Sequence, residues 1–132
     1  MVGEEENCAG AQMDLLFLID SSGSVGIDNF IKTLAFLNNI VSNLDIGEEE
    51  TRVAVIRFSH FAIVSFNLGK YSTKTAVTSA INAIYYDGGN TYTDLALDLA
   101  RTDIFATTTR KSLAAKVLVL VTDGQSKVKR KQ

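Results

Sequence analysis

The stretch "DLLFLIDSSGSVG", residues 14–26, sets the terms for reading the rest of the 132-residue chain. Leu15 to Ile19 are five apolar residues in succession. A strand with one wet face alternates apolar and polar residues, so an unbroken run suits a strand covered on both faces, as in a parallel sheet. The run stops at Asp20 and gives way to Ser21, Ser22, Gly23 and Ser24. A buried strand that ends in a carboxylate and several hydroxyls offers oxygen atoms at the rim of a sheet.

Working outward, residues 27–44 carry Ile27, Phe30, Ile31, Leu34, Leu37, Val41 and Leu44 on one helical stripe. "RVAVIRFS" (52–59) reads as a second strand, rich in β-branched residues. "HFAIVSFNL" (60–68) reads as its antiparallel return through a tight turn at Ser59 and His60. Phe58, Phe61 and Phe66 are expected to fill the core. Ser72 is placed to cap a second helix bearing Ala76, Val77, Ala80, Ile81 and Ile84. "YYDGGNTYTD" (85–94) is a turn-rich loop, after which Thr93 or Asp94 would cap a third helix running to about Thr102. The segment from Phe105 to Ala115 is ambiguous, and "KVLVLVT" (116–122) is another apolar strand running into an aspartate. The order β-α-β-β-α-α-β predicts a doubly wound, three-layer α/β/α fold with a mainly parallel sheet and one antiparallel edge strand. Such sheets bind ligands beyond the carboxyl ends of their strands, at the topological switch point.

Bulk properties narrow the function. A formal net charge of −2 gives no global pull toward nucleic acid. Glu4, Glu5 and Glu6 form an acidic leader, and Lys127, Lys129, Arg130 and Lys131 form a basic tail read as solvated. No apolar run approaches the ~20 residues that span a bilayer, and the N-terminus has no signal-peptide core. The single Cys8 has no internal partner, which leaves it a buried small hydrophobe, a free thiol or half of a bridge.

Asp20, Ser22 and Ser24 form D-x-S-x-S. Alternate residues of an extended loop point the same way, so one carboxylate and two hydroxyls converge, and Gly23 lets the backbone turn between the serines. Hard oxygen donors of this kind suit a hexacoordinate hard cation that keeps several waters. Taken alone, the pattern is a turn or a helix N-cap. What shifts the balance is that Asp123 and the Thr91 region of "GGNTYT" are expected at the same edge.

Four ordered motifs, "FLIDSSGSVG", "TRVAVIRFS", "GGNTYTDLAL" and "VLVLVTDGQS", resemble the von Willebrand factor A domain over most of residues 14–126. The resemblance implies a metal-ion-dependent adhesion site whose ligands here would be Asp20, Ser22, Ser24, Thr91 and Asp123. It implies Mg²⁺, with Mn²⁺ or Ca²⁺ as substitutes. It also implies an extracellular or cell-surface protein partner, collagen or another matrix protein foremost, whose acidic residue completes the coordination. Few direct carboxylates leave such a cation electrophilic, so it still attracts an external acid. Thr93 is expected to cap a helix rather than bind metal. The family continues past its "TDG" motif, whereas this chain ends nine residues after Asp123. The expectation is therefore an acidic leader (1–13), a domain lacking its C-terminal part (14–126) and a basic tail (127–132). That would leave strand 116–122 as an apolar edge and separate Cys8 from a disulfide partner the resemblance implies beyond the last helix.

Rival readings are weaker. The one histidine, His60, sits in a turn, no G-x-S-x-G elbow exists, and no G-x-x-x-x-G-K-[ST] loop is present. Neither a catalytic triad nor a phosphotransfer site around Asp20 has its supporting residues, so no enzyme is expected. An intracellular A domain acting as an assembly part would carry the same metal motif. Tyr85, Tyr86 and Tyr92 suit either a recognition rim or packing of the helix end on the sheet.

Overall fold

The computed structural model describes residues 12–89, 93–105 and 115–122. Residues 1–11 with Cys8, the basic tail, and Thr91, Tyr92 and Asp123 lie outside them. Four strands, β1 (Met13–Asp20), β2 (Thr51–Phe58), β3 (Ala62–Phe66) and β4 (Ala115–Val121), form one sheet in the order β3-β2-β1-β4. β1 runs parallel to both β2 and β4, while β3 returns antiparallel along β2. Helices α1 (Ile27–Ser42), α2 (Lys74–Asn82) and α3 (Thr93–Leu99) connect the strands, and α3 continues as a π-helical segment, Ala100–Phe105.

β1 is central, and side-chain alternation splits its apolar run between two cores. Leu15, Phe17 and Ile19 join Val53 and Val55 of β2 beneath Phe30, Leu37 and Val41 of α1 and Val77 and Ile81 of α2. Leu16 and Leu18 face the other way with Ala54, Ile56 and Phe58, and there meet Ala96 and Ala100. Those two alanines keep the covering helix close, since neither projects beyond its Cβ. Chain order thus puts β2 on one side of β1 and β4 on the other. The switch point lies between β1 and β4, with its crevice at their carboxyl ends.

Several local expectations change. Ile27 and Ile31 remain 49% and 56% exposed. At 100° per residue they stand about 60° and 100° round from Phe30, so the sheet covers only the centre of the apolar stripe. β3 is shorter than the predicted 60–68, and Phe61, expected in the core, is 65% exposed in the turn before it. Phe58 and Phe66 are buried as expected. α2 is capped by Thr73 rather than Ser72: its hydroxyl accepts the Ala76 amide at 3.1 Å, from an extended backbone. The third helix widens after Leu99, where the Thr102 hydroxyl donates to the Asp98 carbonyl at 2.9 Å and competes for the acceptor an α-helical amide would use.

Candidate metal centre

β1 delivers Asp20 to the switch point with the carboxylate 1% exposed. One oxygen, Oδ1, accepts the Ser22 amide at 2.9 Å; the other, Oδ2, accepts the Thr122 hydroxyl at 2.8 Å from the end of β4. Both ends of the crevice therefore hold Asp20 in one orientation. The loop that follows is not extended. It turns, with the Val25 amide donating to the Ser22 carbonyl at 3.1 Å, and the turn rather than strand alternation brings Ser22 Oγ and Ser24 Oγ to 3.2 Å. Ser22 is buried and Ser24 exposed, so the pair spans the passage from protein to solvent.

A second segment is laced to this loop. The Gly88 amide donates to the Ser21 carbonyl at 2.6 Å, the Gly23 amide donates to the Gly89 carbonyl at 2.8 Å, and Ser22 and Gly89 form a parallel bridge. This explains Gly23 differently from the turn argument. A Cβ there would stand 3.0 Å from the Gly88 carbonyl oxygen, so the glycine admits the neighbouring backbone. Gly88 has φ of +80°, a conformation side-chain-bearing residues avoid. Tyr86 donates its hydroxyl to the Ser22 carbonyl at 3.0 Å and packs its ring 5.5 Å from Phe30. Of the three tyrosines, Tyr86 thus packs and Tyr85 stands 71% exposed at the rim.

Asp20, Ser22 and Ser24 are together as the motif implies, whereas Thr91 and Asp123 lie outside the described residues. Their chain neighbours are informative: Gly89 sits two residues before Thr91, and Thr122 immediately before Asp123. Sequence reasoning missed Thr122 and Tyr86 as supports. The hydroxyl next to the strand-end aspartate was a signal for the first, whereas the second was marked only as a residue for the rim or for packing. Also unforeseen is a polar group behind the loop. Ser59 donates to Asp87, whose carboxylate lies 3.7 Å from Arg57, and Arg57 reaches the Ser21 hydroxyl at 3.5 Å.

The donor set is one carboxylate and two hydroxyls, and among the described residues no three His, Cys, Asp or Glu side chains cluster. Oxygen donors of this kind suit a hard cation. His60 is exposed in the turn before β3, its ring edge-on to Phe61 at 4.7 Å. Among the described residues no helix is long and apolar enough to cross a membrane.

Comparison with known proteins identifies the family. The von Willebrand factor type A domain family matches residues 14–132. The human collagen alpha-1(XXI) chain is 38% identical over 120 residues, 91% of this chain and 12% of that one. Chicken matrilin-3 is 35% identical over 122 residues, 89% of this chain and 27% of that one. The chain thus spans a small part of the length of these relatives. Among solved structures, proximal thread matrix protein 1 from the mussel byssus, with a zinc-occupied MIDAS motif, superposes with a TM-score of 0.78 at 29% identity. That match covers 91% of this chain and 30% of the mussel protein.

Proposed function

The chain belongs to the von Willebrand factor type A domain family, and from that membership we propose that it is a metal-ion-dependent protein-binding module rather than an enzyme. Residues 14–126 form the module, and Asp20, Ser22, Ser24, Thr91 and Asp123 hold a divalent cation, Mg²⁺ by preference. The partner is an extracellular matrix or cell-surface protein, collagen-like matrix proteins first, and it contributes a Glu or Asp. The setting is extracellular, as for the collagen and matrilin chains it resembles.

One observation carries the reading: the segments that lead toward Thr91 and Asp123 are each bonded to the Asp20–Gly23 loop. The Ser22–Gly89 bridge and the Thr122–Asp20 hydrogen bond tie the approaches to Thr91 and Asp123 to the first loop. Asp20 supplies the negative charge from a rigid buried strand, the serine hydroxyls supply neutral donors, and Thr122 and Ser22 hold the carboxylate in place. When bound, the cation supplies an electrophilic site for an external carboxylate.

A thermal melt tests this. Mg²⁺ at ~100 times its Kd stabilises the folded chain by about 2.7 kcal/mol relative to chelator. Asp20→Ala is expected to melt cooperatively in chelator and to show no Mg²⁺-dependent rise. A wild-type melt indifferent to Mg²⁺ and Mn²⁺, or an Asp20→Ala protein that binds metal normally, would overturn the assignment.

A further inference from the structure

A cavity of about 290 Å³ opens between β3 and the end of α2, on the α1–α2 side of the sheet. Ile63, Phe66, Tyr71 and Ile84 are among its apolar lining residues, and Ser65, Tyr85 and Arg57 bring polar groups to it. Phe66 and Tyr71 brace each other edge to face at 5.2 Å. Ile63 is 44% and Tyr85 71% exposed. An engineered apolar cavity of ~150 Å³ takes up benzene, so this one has room for a ring and a short chain.

The one charged residue of the wall is unusual. The Arg57 side chain is only 6% exposed and carries a permanent charge. Its contacts are the Ser21 hydroxyl at 3.5 Å and the Asp87 carboxylate at 3.7 Å, both through the same terminal nitrogen, and the Tyr85 ring at 4.8 Å. Asp87 is shared with the Ser59 hydroxyl and is 37% exposed. Nε and the other terminal nitrogen have no acceptor among the described residues. A guanidinium offers five donors in a planar fork, and neither of these two nitrogens is a fully buried atom, so both stay open to a ligand's acceptors. A carboxylate that meets the open side of the fork gains paired, charge-assisted hydrogen bonds. A site with apolar walls and one placed polar group is how small-molecule pockets are generally built.

We infer that this cavity is a second binding site, independent of the metal centre, for a small apolar carboxylate whose acid head pairs with Arg57 and whose aromatic or branched tail lies against Ile63, Phe66 and Ile84. The fork selects an anion over a neutral analogue, and the walls select an apolar body over a sugar or a polyphosphate.

The test is a methyl-detected NMR titration in EDTA, with 4-phenylbutyrate as the probe and 4-phenylbutyramide as its neutral counterpart. The acid is expected to shift the Ile63 and Ile84 methyls saturably, with Kd on the order of 1 mM or tighter. The amide is expected to bind at least tenfold more weakly, a comparison that needs no variant. Arg57→Gln, if it folds, should lose the preference for the acid, and Asp20→Ala should keep it, which separates this site from the metal centre. Equal binding of acid and amide, shifts that appear only with Mg²⁺, or no saturable shift at Ile63 and Ile84 would each overturn the inference.

Discussion

Asp20 shows how much one side chain's setting decides. A strand-end aspartate in a turn usually bonds nearby amides, and Oδ1 does so with Ser22. What distinguishes this one is Oδ2, taken by Thr122 from a strand 102 residues away in sequence. Thr122→Val keeps the shape and removes that donor. Metal affinity is expected to fall about 10- to 100-fold, the usual cost of deleting an outer-shell partner, as read by calorimetric titration with Mg²⁺. Wild-type affinity in this variant would mean that Asp20 needs no support from β4. The D-x-S-x-S pattern was legible because the residue types name a chemistry. Tyr86 was not, because a hydroxyl reaching the Ser22 carbonyl depends on how the loop folds back.

At the scale of elements, periodicity located every described strand and helix, and the errors fell at their ends. Ser72 is the slightly better cap by propensity; the backbone chose Thr73, whose extended conformation points its hydroxyl at the Ala76 amide. Thr73→Ala is expected to destabilise the protein by about 1 kcal/mol and Ser72→Ala by no more than a few tenths, a contrast that urea denaturation resolves. Phe61 failed as a core residue for a similar reason. β3 begins one residue after it, and the turn directs its ring beside His60 into solvent. Apolar character alone does not say which side of a turn a ring takes.

Across the whole molecule, the sheet is joined at its far end by an ion cluster. Asp14, fully buried on β1, accepts two hydrogen bonds from Arg52 of β2 at 3.0 and 3.1 Å and one from Lys116 of β4 at 3.2 Å. These pairs follow from the parallel register, which sets Asp14 opposite both cations. Asp14→Ala leaves two cations facing a buried position and is expected to cost about 3 kcal/mol in urea denaturation. Asp14→Leu combined with Arg52→Leu should recover part of that loss, because it removes the buried charge with the more buried of its two partners and leaves only the more exposed Lys116. If the double variant is no more stable than Asp14→Ala, the cluster acts through something other than charge compensation.

The sequence by itself determined the order of elements, the mainly parallel sheet and the oxygen-rich end of β1. Those properties rest on local periodicity and residue chemistry, which are present before the chain folds. Only the tertiary structure decided what holds Asp20, which backbone stands against Gly23, where Phe61 points, and that Arg57 lies in the wall of a cavity. Each of these depends on segments far apart in sequence meeting at set distances. No local pattern encodes such a meeting, because contacts of that kind arise only when the two cores close on either side of the sheet.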